Sequence, residues 1–114
     1  MMLGFLTRRE ERDRYADHER IATLERVLDE IEMELLAEKT GFQKRYESAA
    51  ITAAFAQQYY EDEVNDARSS AKVDDLTRSL KAFSERIAAL DSQIGLVTGL
   101  RGAVRSFAVE HDID

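Results

Sequence analysis

The feature that most constrains this chain is a repeat of large apolar residues at alternating steps of three and four between positions 73 and 97. Eight successive positions of the repeat are filled, which is typical of one continuous helix whose apolar seam faces another helix. A half-buried strand would instead alternate at every second residue. The chain has no proline and only five glycines, so its composition also favours long helices over a sheet joined by turns. The repeat consists of Val73, Leu76, Leu80, Phe83, Ile87, Leu90, Ile94 and Val97.

A second, shorter seam lies in the first third of the chain. Thr7 and Glu10 have the spacing of a capping box, which marks the start of the first helix. Charged residues dominate up to Arg20, and the apolar repeat begins only after them. This seam consists of Ile21, Leu24, Leu28, Ile31 and Leu35.

Gly41 is the predicted end of that first helix. Glu38 takes the next seam position, where a buried and unpaired carboxylate would be strongly destabilising. We therefore expect a bend at Gly41 that turns Glu38 into water. A helix that runs straight through is the alternative, because Phe42 keeps the heptad register of Leu35.

The apolar residues between positions 42 and 64 form two neighbouring stripes. So wide an apolar arc is typical of a helix with two neighbours, as in the middle helix of three. Large apolar residues then run out between Asn65 and Lys72, which predicts a turn centred on residues 69 and 70. The second stripe consists of Ile51, Phe55 and Tyr59.

These patterns predict an all-α fold in a single domain over residues 1–114. The architecture is either an antiparallel helical hairpin or an elongated three-helix coiled-coil bundle. Beyond the long seam, the apolar face is expected to continue after a shift of register through Leu100, Val104 and Phe107. The predicted helices span residues 7–39, 41–67 and 72–109, with an apolar tail at 1–6 and a frayed acidic end at 110–114.

A stripe of small residues runs along the C-terminal half of the last helix. Glycine inside a helix costs about 1 kcal/mol relative to alanine, so close approach of another group is expected there. With a turn at residues 69 and 70, Phe42 and Tyr46 lie level with Gly95 and Gly99, and large side chains would pack against small ones. There are two alternatives to this internal packing: the stripe receives a helix of a partner protein, or it is simply loosely packed. The stripe consists of Ser92, Gly95, Gly99, Gly102 and Ser106.

The residues that carry chemistry are few and scattered. The chain has no cysteine, and neither His18 nor His111 follows a glutamate by three residues as a di-iron bundle requires. The acidic residues 61–63 are consecutive and point in different directions from one helix. We therefore predict no catalytic residue, no cofactor and no metal site. The formal net charge of −7 also disfavours nucleic acid as a partner.

The sequence thus predicts a non-catalytic coiled-coil interaction protein that forms a dimer and joins a larger assembly through an unknown protein partner. Helical-hairpin secretion chaperones are an analogy at the level of fold only. No small-molecule substrate is expected, and the absence of a visible export signal or membrane span predicts a cytoplasmic location. The alternative is a peripheral membrane adaptor anchored by the N-terminal segment, which is weakened by the nearby acidic residues. That segment comprises Met1, Met2, Leu3, Phe5, Leu6, Arg8 and Arg9.

Overall fold

Two long helices make up the described part of the chain. The computed structural model describes the backbone of residues 7–62 and 67–113, with the side chains of these ranges except at 60–62 and 67–69. Helix α1 spans Arg8–Asp62 and helix α2 spans Ala67–Glu110.

The all-α prediction is confirmed, and the two described ranges contain no strand. Two helices take the place of the three predicted for a bundle. The apolar tail predicted at residues 1–6 lies outside the described residues.

The predicted bend at Gly41 is wrong, because α1 continues through this residue without interruption. The reason for expecting a bend also disappears. Glu38 is partly exposed, and its carboxylate accepts hydrogen bonds from the Arg86 guanidinium, so a straight helix leaves no unpaired charge in the interior. The intrinsic penalty of one glycine, about 1 kcal/mol, is then too small to break the helix.

We expect Gly41→Ala to raise the free energy of unfolding by about 0.5–1 kcal/mol, because alanine is the better helix former. A Cβ atom at Gly41 would meet no other atom within 4 Å, so no clash offsets this gain. Urea unfolding followed by circular dichroism measures the change. Ala37→Gly, an exposed position on the same helix, is the matched control and should lower stability by a similar amount. A loss of stability in Gly41→Ala would show that the helix does bend there.

The turn centred on residues 69 and 70 is also wrong, because α2 has already begun at Ala67. The segment from Ala67 to Lys72 holds no glycine or proline, and its polar residues are compatible with a solvated helix. Residues 63–66, which separate the two helices in the sequence, lie outside the described residues.

The start of α1 and the end of α2 are both capped. The Glu10 backbone N–H donates to Thr7 Oγ1 at 3.1 Å, as the capping box predicts. At the other end Asp112 adopts a left-handed conformation with φ of 52°. The Ile113 N–H then donates to the Ala108 carbonyl at 2.8 Å, which is the closing bond of a Schellman-type cap. Residues 110–113, predicted to fray, thus form the cap of α2.

The contacts divide the chain into two compact units, and each contains a piece of both helices. Unit 1 comprises the described residues of 1–33 and 95–114, and unit 2 comprises 34–94. Within each unit the two helices are antiparallel, because contacts advance along α1 as they retreat along α2. The contacts that show this are Glu25–Arg105 and Glu32–Arg101 in unit 1, and Glu38–Arg86 and Phe42–Phe83 in unit 2.

The hydrophobic core is small in both units. Leu90 is the largest fully buried side chain among the described residues, with none of its surface exposed. Most other residues between the helices keep part of their surface in water. The buried apolar residues are Leu28, Val97 and Ala108 in unit 1, and Leu35 and Leu90 in unit 2.

Candidate interaction surfaces

The seam of α2, meaning the line of residues that faces α1, coincides with the predicted repeat. Every member of the repeat is buried or half-buried. The heptad spacing also continues past Val97 without the expected shift of register. Its later members are Arg101, half-buried Val104 and buried Ala108, whereas Leu100 and Phe107 are exposed.

The seam of α1 differs from the predicted one at every second position. Ile21, Leu28 and Leu35 do lie against α2, at half-buried or buried positions. Leu24 and Ile31, however, are exposed, and the half-buried positions that follow each of the three apolar ones by four residues are charged. These charged seam residues are Glu25 and Glu32 in unit 1 and Lys39 in unit 2.

The charged seam positions of unit 1 are matched by two arginines on α2. Arg101 Nη1 lies 2.8 Å from Glu32 Oε2, and its Nη2 lies 3.6 Å from Asp29 Oδ1. Arg105 Nη2 lies 2.9 Å from Glu25 Oε2. The hydrogen bond that Arg101 donates to Glu32, together with the negative charges of the nearby carboxylates, raises the pKa of Arg101 above its usual value. The positive charge of Arg101 therefore stabilises the fold fully at every pH below the pKa of arginine in the unfolded chain. This stabilisation is lost only as the pH rises through the higher pKa of the folded state.

We expect the pair of Glu32 and Arg101 to fix the register of the helices more than their stability. Glu32→Leu or Arg101→Leu alone should lower the Tm. The first leaves Arg101 with only its longer contact to Asp29, and the second removes the cation that pairs with both Glu32 and Asp29. The double variant should raise the Tm above that of the wild type by several degrees, because leucine at both seam positions completes the apolar repeat. Thermal unfolding of the three variants measures this. Glu30→Leu removes the exposed pair with Arg26 within α1 and serves as the control. A double variant less stable than either single one would contradict this interpretation.

The seam of unit 2 combines an aromatic pair with two ion pairs. The rings of Phe42 and Phe83 have their centroids 6.0 Å apart at 52°. Lys39 Nζ lies 2.6 Å from Asp91 Oδ1, and Arg86 pairs with Glu38 at 2.8 Å. The register that set Phe42 level with the glycines of α2 is therefore wrong, because Phe42 lies opposite Phe83. The displacement follows from the true start of α2 at Ala67, several residues before the predicted one.

The stripe of small residues is not closely packed within the described chain. A Cβ atom built on Gly95, Gly99 or Gly102 would meet nothing within 4 Å, and Ser92 and Ser106 are exposed. The predicted packing of large side chains from α1 against these glycines is thus wrong. The stripe forms the outer face of α2, away from the seam.

An apolar surface without ionic groups lies beside the seam in unit 1. Its members on α1 are Leu24, Val27 and Ile31, which follow one another at steps of three and four. Its members on α2 are separated by four and seven residues, which also keeps them on one side of the helix, and all six are at least 38% exposed. We call this set the apolar flank: Leu24, Val27, Ile31, Leu96, Leu100 and Phe107.

A second exposed stripe lies on α1 in unit 2. Ile51, Phe55 and Tyr59 are the residues for which a second helical neighbour was predicted. With only two helices in the described chain, that neighbour is missing, and Phe55 is 69% exposed. The wide apolar arc is therefore present on α1, but the third helix inferred from it is absent from the described residues.

Both histidines line one cleft at the end of unit 1, together with Asp17 and Asp112. The ring of His111 stacks on Phe107 with centroids 4.0 Å apart, and its Nδ1 lies 2.9 Å from the Phe107 carbonyl oxygen. Among the side chains that the structure describes, no group of three or more acidic or histidine residues is placed to hold a metal ion. Nine of the described acidic side chains form ion pairs with arginine or lysine.

No protein-family model matches the chain, and comparisons with curated proteins and with solved structures also give no match. Neither described helix contains a stretch both long and apolar enough to cross a membrane. Arg8 and Arg9, part of the predicted membrane-contact segment, are exposed at the start of α1, while Met1, Met2, Leu3, Phe5 and Leu6 lie outside the described residues.

Proposed function

We propose that this chain is a non-catalytic, two-helix coiled-coil protein that associates with itself and serves as a structural or adaptor component of a larger assembly. The observation that carries the proposal is the imbalance between buried and exposed apolar side chains. Among the described residues five apolar side chains are buried, whereas fourteen large ones are exposed. Isolated exposed hydrophobics are ordinary, but contiguous stripes of them mark interaction surfaces.

The pairing of the helices supports the coiled-coil part of the proposal. The seam of α2 keeps heptad spacing from Val73 to Ala108, and the α1 positions that face it between Ile21 and Phe42 alternate between apolar and charged residues. Charged groups at seam positions specify register and partner at some loss of stability. The helices therefore recognise each other by charge as well as by apolar contact, which suits a protein whose remaining apolar surface is reserved for association.

Size-exclusion chromatography with light scattering tests self-association directly. The chain mass is 13.0 kDa, so a dimer has a mass of about 26 kDa. We expect the dimer mass at tens of micromolar and a decline toward the monomer mass on dilution. A mass of 13 kDa at every concentration up to about 100 µM, well above the Kd of a typical specific dimer, would refute self-association.

A further inference from the structure

We propose that the apolar flank of unit 1 is the surface on which a second copy of this chain docks, so that two copies of unit 1 form a four-helix bundle. This inference rests on the proposed self-association and names the surface responsible for it. Three observations carry it: the segregation of charge in unit 1, the exposed area of the flank, and the reach of the N-terminal residues.

The ion pairs that join the two helices of unit 1 all lie on one side of the seam. On α1, Asp29 lies one residue after the seam residue Leu28, on one side of the seam. Leu24 lies four residues before Leu28 and Ile31 three residues after it, which places both on the opposite side. On α2, Arg105 follows Val104 by one residue, and Leu100 precedes it by four. Because antiparallel helices place equivalent heptad positions on the same side, the two apolar stripes join into one surface. The ion pairs of Glu25, Asp29 and Glu32 with Arg101 and Arg105 occupy the other side.

The apolar flank suits an acidic protein that binds its own copy. The chain carries a formal net charge of −7, so two copies repel each other wherever their acidic surfaces meet. Between positions 92 and 109 the only charged residues are Arg101 and Arg105, and α1 holds both. Contact through this part of α2 therefore brings no like charges together and leaves no buried charge unpaired.

The area of the apolar flank is sufficient for a dimer. Leu96 is 63% exposed and Phe107 48%, and the other four members lie between 38% and 45%. Together the six side chains offer on the order of 500 Å² per copy, so a two-fold contact buries about 1,000 Å², the lower range for a specific interface. The small residues on the outer face of α2 border this surface and allow another helix to approach closely.

Residues 1–6 are too short to cover the flank in place of a second copy. Fully extended, six residues span at most roughly 21 Å. Leu24 lies 17 residues along α1 from Thr7, which corresponds to about 25 Å of helix. Ile31 lies farther still, so these six residues cannot cover most of the flank.

Two substitutions within the flank test the proposal, each made in the full chain. Leu96→Asp and Leu100→Asp place a carboxylate in the interface twice, once from each copy. We expect each to raise the Kd of the dimer at least about 100-fold while the helical circular dichroism signal is retained. Sedimentation equilibrium measures the Kd, and the wild type is run alongside.

Two further variants serve as controls. Thr98→Asp changes the same helix on the side of the ion pairs, beside Arg101 and Arg105. Phe55→Asp changes the exposed stripe of unit 2. Both should leave the Kd within about threefold of the wild type, a difference of under 1 kcal/mol.

The outcomes separate this inference from the proposed function. If Leu96→Asp and Leu100→Asp dimerise like the wild type, the flank is not the interface, although self-association stands. The same conclusion follows if Phe55→Asp alone abolishes the dimer. A wild-type protein that stays monomeric refutes both ideas. Monomeric protein that binds phosphatidylserine vesicles, and loses this binding in the Leu96 and Leu100 variants, would assign the flank to a membrane surface and overturn the proposal.

Discussion

Leu90→Ala is expected to lower the free energy of unfolding by about 3 kcal/mol, since truncation of a buried leucine loses its transfer free energy and leaves a cavity. Leu90 is fully buried in unit 2, and few other side chains in that unit are as well shielded from water. A loss of this size is a large fraction of the roughly 5–15 kcal/mol that stabilises a typical domain. Urea unfolding followed by circular dichroism gives the difference.

Ile51→Ala is the matched control for Leu90→Ala. Ile51 belongs to the same unit and is also a large aliphatic residue, but 59% of its surface is exposed. Its truncation should change stability by no more than about 0.5 kcal/mol. Equal effects at the two positions would mean that Leu90 does not lie between the helices.

Val97→Asp is expected to destabilise unit 1 by at least about 3 kcal/mol, because it buries a carboxylate without a partner in the seam of α2. Val97 is 6% exposed, and Arg101, four residues later, is already held by Glu32 and Asp29. Loss of helical signal at 25 °C, or a strongly reduced Tm, is the expected observation.

Leu96→Asp, at the neighbouring position, tests the apolar flank and leaves the seam unchanged. The side chain of Leu96 points away from α1, so its substitution should leave the helices folded while it weakens the dimer. The two adjacent variants thus differ in what they disrupt, which is the fold for Val97→Asp and association for Leu96→Asp. A folded Val97→Asp variant with an unchanged Tm would show that the seam of α2 has been misplaced.

The sequence was sufficient to predict the helical class and the seam of α2, because apolar residues fill that heptad repeat without a gap. It was insufficient for α1, where the positions facing α2 alternate between apolar and charged residues. Leu24 and Ile31 share the spacing of Leu28, and a search for apolar repeats selects them over Glu25 and Glu32. The charges of Arg101 and Arg105 on the opposite helix carried the missing information. Glu25 and Glu32 lie at heptad steps on α1 that match these two arginines. This complementarity of charge is the sequence signal that would have identified the true seam of α1.

The errors at Gly41 and at the turn have a shared physical origin. Local propensity favoured a break at both places, but each penalty is about 1 kcal/mol or less per residue, which is small beside the tertiary contacts of a long helix. Once the start of α2 moves to Ala67, the register of the two helices changes along their length. The glycines then lose their predicted neighbours, and Phe42 gains Phe83. The open face of α2 and the exposed apolar flank both depend on this register.

The most direct test of the antiparallel register is a nuclear Overhauser effect between the rings of Phe42 and Phe83. Their centroids are 6.0 Å apart, which brings ring protons within range of a measurable effect. Selective labelling of phenylalanine makes the signals assignable, and mixed labelled and unlabelled protein distinguishes contacts within one copy from those between copies. We expect a Phe42–Phe83 contact within one copy. A contact between the Phe42 ring and the α protons of Gly99 would contradict the register, and with it the free apolar flank on which the proposed association depends.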